Sequence, residues 1–192
     1  MKRIVCTMIA MSAAFALATG SEEAPKGWFR AGNRPNDYEM ATDRQVTHSG
    51  KSSASLKSIV SEANGFGTLM QTFKAGTFRG KRVRMSGHAR AEEIIGWAGF
   101  WMRVDGGKGE PLAFDNMEKR AIKGTSDWRK YEIVLDVSEK AEEVAFGMLL
   151  SGKGQVWLDD LKFEIVGTDV PATAEANNTD AAKGPTNLDF EE

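Results

Sequence analysis

The stretch "GWAGFWMRVDG", Gly96 to Gly106, sets large apolar residues at both parities of one short segment. A β-strand sends alternate side chains to opposite faces. Ala98, Phe100, Met102 and Val104 therefore read as a buried row, and Trp97, Gly99, Trp101 and Arg103 as a second face. The preceding segment, Arg82 to Arg90, divides in the same way. Val83, Met85, Gly87 and Ala89 form its apolar row, and Arg84, Ser86, His88 and Arg90 its polar one. Joined by "AEEIIG", the two strands would share one outer surface if both apolar rows faced the same core.

Outward from this pair, Gly27 to about Val166 is short, alternating and punctuated by glycine, with no long stretch at a helical period. Candidate strands are Ser53–Ser58, Phe66–Phe73, Arg82–Arg90, Trp97–Val104, Pro111–Asn116, Trp128–Val137, Glu143–Leu150 and Gln155–Val166. Turn signals such as "HSGK", "FRGK", "DGGKG" and "SGKG" lie between them. Strands at this spacing predict an all-β sandwich or barrel.

The ends differ in character from this middle. Residues 1–18 carry Lys2 and Arg3, an apolar run from Ile4, and Ala16-Leu17-Ala18 in an A-x-A arrangement, the pattern of a cleaved signal peptide. The run is shorter than the roughly 18 to 20 residues that span a bilayer, so the expectation is a periplasmic or secreted chain with no membrane span after cleavage. Cys6, the single cysteine of the 192 residues, lies inside that segment. Its removal leaves no thiol for a disulfide framework, a nucleophile or a cysteine metal site. The domain is expected over residues 19–166. Residues 167–184 have too few large apolar groups to order themselves and read as a flexible linker. Residues 185–192 end in "NLDFEE", where Leu188 and Phe190 alternate with acids as in a half-buried strand. This tail either docks, on its own domain or on a partner, or frays.

Four segments in order, "HSGKSSASLKS", "GKRVRMSGHARAE" with the Trp97 strand, "TSDWRKYEIVLDV" and "GKGQVWLDDLKFEIV", resemble the galactose-binding-like jelly-roll domains of carbohydrate-binding modules. Similar domains also occur beside helix-turn-helix modules and carry an AraC-type regulator label. This sequence has no such helix pair, and no DNA-binding role is carried over. The resemblance implies a β-sandwich jelly roll opening with a strand of the form "NLxFE". Here that motif stands at the other end, Asn187 to Glu191, which implies that the tail fills the first strand's slot in its own or a neighbouring molecule. The resemblance also implies a structural calcium ion, with Asp159 and Asp160 matching an acidic pair of the last strand and Glu191 the acid of the opening motif. The open alternative is a surface acidic pair without an ion.

Sugars are held by C–H stacking on aromatic rings and by forked hydrogen-bond donors aimed at hydroxyls. Trp97 and Trp101 would supply the platform, and Arg84, Arg90 and Arg103 the forks, with His88 a further donor. The alternation of Ala145 and Gly147 with Val144, Phe146 and Met148, and the position of Gly99 between the tryptophans, would leave room for a ligand. Asp115 and Asn116 either accept from hydroxyls or form an Asx-turn. Trp128 and Trp157 are expected to pack in the core or at a sheet edge. Alternatively, the Trp97 and Trp101 rings pack under a loop and the arginines pair with acids.

Catalysis has little support in the sequence. Glu92, Asp105, Asp115 and Glu118 are numerous enough to imitate a glycosidase pair by chance. His48 and His88 lie far apart in sequence, which gives a zinc site little support. A mildly acidic, exported chain is a poor partner for nucleic acid. The expectation is a non-catalytic binding module for a carbohydrate or similar polyhydroxylated ligand. The alternative is a protein–protein interaction module that uses the tryptophan face or the tail.

Overall fold

The computed structural model describes residues 24–173. The strands are β1 (Phe29–Gly32), β2 (Tyr38–Asp43), β3 (Ser53–Ser58), β4 (Phe66–Lys74), β5 (Lys81–Asp105), β6 (Pro111–Asp115), β7 (Ile122–Val137) and β8 (Glu143–Val166). The signal peptide at 1–18, linker residues 174–184 and the tail at 185–192, Glu191 included, lie outside the described residues. No helix among the described residues is long and apolar enough to cross a membrane.

All eight strands belong to one hydrogen-bonded sheet, and that sheet is folded over. The strands expected at Arg82–Arg90 and Trp97–Val104 are two halves of the single strand β5, which do not pair with each other. Each half pairs with β8, from Arg82 opposite Val166 to Asp105 opposite Glu143, and the register slips between Glu92 and Ile95. There the ribbon turns a corner. Gly96 and Gly152 stand opposite each other with φ of 111° and 87°, and a Cβ on either would collide with the partner strand's backbone. Only glycine takes such angles at little cost.

The corner divides the sheet into two layers. In one, β2, β3, the second half of β8, the first half of β5 and β7 lie side by side. In the other the order is β1, β4, the first half of β8, the second half of β5, and β6. Apolar rows from both layers meet between them. Phe100 stands edge-on to Tyr131 with centroids 6.1 Å apart, and Phe146 to Phe163 at 4.8 Å. Val83, Met85, Ile133 and Leu135 from one layer join Met102, Val104, Met148 and Leu150 from the other in one buried cluster. The predicted parity of both β5 segments holds. Tyr38 pins the corner from inside, its hydroxyl 2.8 Å from the Gly65 carbonyl and 3.1 Å from that of Gly152.

Residues 167–173, the beginning of the segment expected to be a linker, are held by hydrogen bonds. Arg82 donates to the Thr168 and Val170 carbonyls. Thr173 bonds both backbone groups of Val134 on the outer edge of β7.

Candidate functional site

The second layer turns a shallow groove of about 500 Å³ outward. Strand register builds it row by row. Phe66, Ser151 and Trp97 form one row, Ala31, Thr68, Leu149 and Gly99 the next, then Met70, Gly147 and Trp101. Arg103 and its β6 neighbour Phe114 close it. Trp101 is the floor and not an open platform. It is 7% exposed, packs with Ala145 and Leu149, and donates its indole N–H to Thr68 Oγ1 at 2.7 Å. Thr68 passes the chain on to the Met148 carbonyl at 2.9 Å. Trp97 is half-buried beside it. The exposed rings are Phe66 and Phe114, at 36% and 49%. Sequence reasoning missed both, although the alternation of β6 sends Phe114 outward beside Arg103.

Arg103 is anchored and still open. Its Nε donates to both oxygens of buried Asp105, at 2.9 and 3.0 Å, while the side chain is 46% exposed. Asn116 lines the groove, with Oδ1 accepting from the Glu118 amide in an Asx-turn. Asp115, one residue earlier on β6, turns inward. It is 8% exposed and accepts from the Met117 amide, Arg120 and Thr173. Of the two readings of Asp115, the structure shows the Asx-turn and not a carboxylate that reaches a ligand.

The small residues do not open space for a ligand. A Cβ at Gly147 would run into the Leu69 carbonyl of β4, and one at Gly99 would meet Asn116 O at 2.9 Å and Met117 Cβ at 3.1 Å. They let neighbouring backbone approach closely, and Gly99 thereby seats the turn that carries Asn116.

Arg84, His88 and Arg90 are not in this groove. The corner in β5 places them on the outer face of the first layer, so the single shared surface expected for both rows does not exist. Arg84 pairs with Glu164 at 3.3 Å, and Arg90 lies over the Trp157 ring, 5.7 Å from its centroid. Trp157 is buried at 3% exposure and donates to Asp43 Oδ2 at 2.8 Å, in line with its expected packing role. Trp128 lies edge-on to His48 at 5.6 Å.

His88 meets His48 here, although forty positions of sequence separate them. Their rings stack with centroids 3.7 Å apart and planes 10° from parallel. A bulge in β8, with Asp160 at φ 54°, turns the Asp160 carboxylate toward both. Asp160 Oδ2 is 2.7 Å from His48 Nδ1 and 3.9 Å from His88 Nδ1. Burial, then the neighbouring His48, pushes the His88 imidazole below the usual histidine range. Hydrogen bonds from Ser49 and then His48 hold Asp160 below the usual carboxylate range.

The oxygens expected to hold calcium face donors. Asp159 accepts from the backbone N–H groups of His48, Ser49 and Asp160, and Asp160 from Ser49 Oγ and the His48 ring. Calcium needs six to eight oxygen ligands, and all four carboxylate oxygens of this pair already accept hydrogen bonds. The described surroundings of this pair do not fit a calcium cage.

No family model matches the chain. It is 44% identical over 172 residues to the uncharacterised helix-turn-helix-type transcriptional regulator YbfP of Bacillus subtilis, covering 89% of this chain and 58% of that protein. The chain thus spans under two thirds of the length of that relative. Among solved structures it is similar to the enzymatically active domain of the bacteriophage CBA120 tailspike protein 4, with a TM-score of 0.59, 13% identity, and coverage of 73% of this chain and 20% of that one. It is also similar to the CBM22-1 xylan-binding domain of Paenibacillus barcinonensis Xyn10C, with a TM-score of 0.55, 15% identity, and coverage of 77% and 91%. The folded ribbon of β5 and β8 and the layers it joins are accordingly the β-sandwich, jelly-roll fold of the carbohydrate-binding modules.

Proposed function

We propose that the chain is an exported, non-catalytic module that binds a carbohydrate or similar polyhydroxylated ligand in the groove of the second layer. The observation that carries this reading is the composition of the groove, in which aromatic rings surround a fixed, partly open guanidinium and an amide. Its volume falls within the range of about 300 to 1,000 Å³ usual for small-molecule sites. Sugar C–H faces stack on Trp97, Phe66 and Phe114, while Arg103 and Asn116 address hydroxyls. No carboxylate is among the described residues that line the groove, which supports binding over glycoside hydrolysis, a reaction that needs two. Export rests on the signal pattern at 1–18.

Titration calorimetry and tryptophan fluorescence with soluble oligosaccharides test the reading. Xylo-oligosaccharides head the panel because one structural neighbour is a xylan-binding domain. A saturable change is expected, weakened roughly tenfold or more in Phe114→Ala and Trp97→Ala, as for aromatic anchors of other interfaces. Phe114 is exposed, so its removal spares the fold. If no glycan on a broad array perturbs the tryptophans, the reading fails.

A further inference from the structure

We propose that His48, His88 and Asp160 form a site for one divalent ion of the zinc class, on the face of the sandwich opposite the groove and independent of what the groove binds. The candidate ligand atoms of the three residues lie within 4.8 Å of one another. The set is mixed nitrogen and oxygen, which suits borderline first-row ions and not calcium or magnesium. His88 Nδ1 is buried and has no hydrogen-bond partner. A buried polar atom left unpaired is costly, and an ion would satisfy it. The side chains of His48, His88 and Asp160 remain 32%, 26% and 30% exposed, which gives an ion a path in and water a place to complete a tetrahedron.

The second coordination layer is also present. Ser49 Oγ donates to Asp160 Oδ1 at 2.7 Å, leaving Oδ2 as the oxygen that faces the rings. Outer hydrogen bonds of this kind fix the orientation of a ligating group. Capture needs one rearrangement. The lone pair of each Nδ1 lies in its own ring plane, so the parallel imidazoles must splay to converge on a single ion. Neutral His48 then carries its proton on Nε2 and gives up its hydrogen bond to Asp160. The ion would clip the loop between β2 and β3 to β5 and β8, linking three parts of the chain with one centre.

The experiment uses the full chain, purified without a histidine tag and stripped with EDTA. Equilibrium dialysis against Zn2+ in the presence of excess Ca2+ and Mg2+ is expected to load one ion per chain. His48→Gln and His88→Gln are each expected to weaken binding by at least about tenfold, since even outer-shell changes cost 10- to 100-fold. The chain has two histidines, so their ring signals in NMR are readily assigned, and both must shift on zinc addition. This reading decides the matter even if a variant does not fold. Failure to bind zinc, a shift of only one ring, full affinity in the variants, or displacement of zinc by calcium would each overturn the proposal.

Discussion

Trp101 reaches across the intervening strand β8 to donate its indole N–H to Thr68 of β4, at 2.7 Å. The same hydroxyl donates onward to the Met148 carbonyl. Thr68 is thus both acceptor and donor in a buried chain, and it fixes the rotation of the groove floor. Thr68→Val keeps the shape and removes both bonds. An unsatisfied buried donor costs about 1–3 kcal/mol. Thermal melts are expected to show a loss of that size, with Thr68→Ser close to the parent protein.

Gly147 and Gly99 separate stability from binding. Gly147→Ala forces a methyl group against the backbone of β4, which cannot swing aside as a side chain can. Overpacking costs about 1–3 kcal/mol or more, and chemical denaturation is expected to register it. At Gly99 the added methyl meets the Asn116–Met117 turn instead. Gly99→Ala is expected to displace Asn116 and lower glycan affinity, with a smaller drop in melting temperature.

Asp43 gives the domain a limb of acid sensitivity. Burial alone would raise its pKa, but hydrogen bonds from the Val46 amide, the Trp157 indole and the Gln45 amide outweigh it and hold the carboxyl below its ordinary value. A group depressed on folding contributes stability above its unfolded pKa and loses it as pH falls through the folded one. Denaturation midpoints measured from roughly pH 5 to pH 2 are expected to fall more steeply for the parent than for Asp43→Asn. Parallel slopes would contradict the assignment.

Thr173 and Arg82 fasten the chain beyond β8. Thr173 joins Val134 and Asp115, and Arg82 holds the two carbonyls before it. Thr173→Val combined with Arg82→Ala is expected to hasten proteolysis within 167–173 without changing the core's hydrogen-exchange protection. Cleavage at the parent rate would show that other contacts hold the segment.

Much of the sandwich was legible because its strands bury one face each. Val83, Met85, Phe100 and Met102 announce their side by parity alone, and all four are buried. The corner was not legible. "AEEIIG" looks like a hairpin connection until β8 is laid beside it, because the turn is made by a pair of glycines 56 residues apart, Gly96 and Gly152. That bend is what removes Arg84, His88 and Arg90 from the tryptophan face. Strand β2 escaped notice because the decisive residue of "YEMATD", Tyr38, is tied to the corner and not to its neighbours. Within the groove, Trp97, Trp101 and Arg103 follow from alternation, and Asn116 from its turn-forming residue type just past β6. Phe114 was open to the same alternation and was passed over, while Phe66 needed the register. The two histidines needed the bulge at Asp160, which no local pattern signals.

The shared strands also govern how the molecule comes apart. In a sandwich whose layers have separate strands, only the shared core joins the two. Here β5 and β8 carry ladder bonds in both layers, so pulling them from one side strips the centre out of the other. Their pairing also joins residues 81–105 to residues 143–166, and topologies dominated by such distant contacts fold slowly. Neither layer is therefore expected to be stable alone. Its amides in both layers are expected to become exchangeable through one common opening, with late assembly and a single cooperative loss.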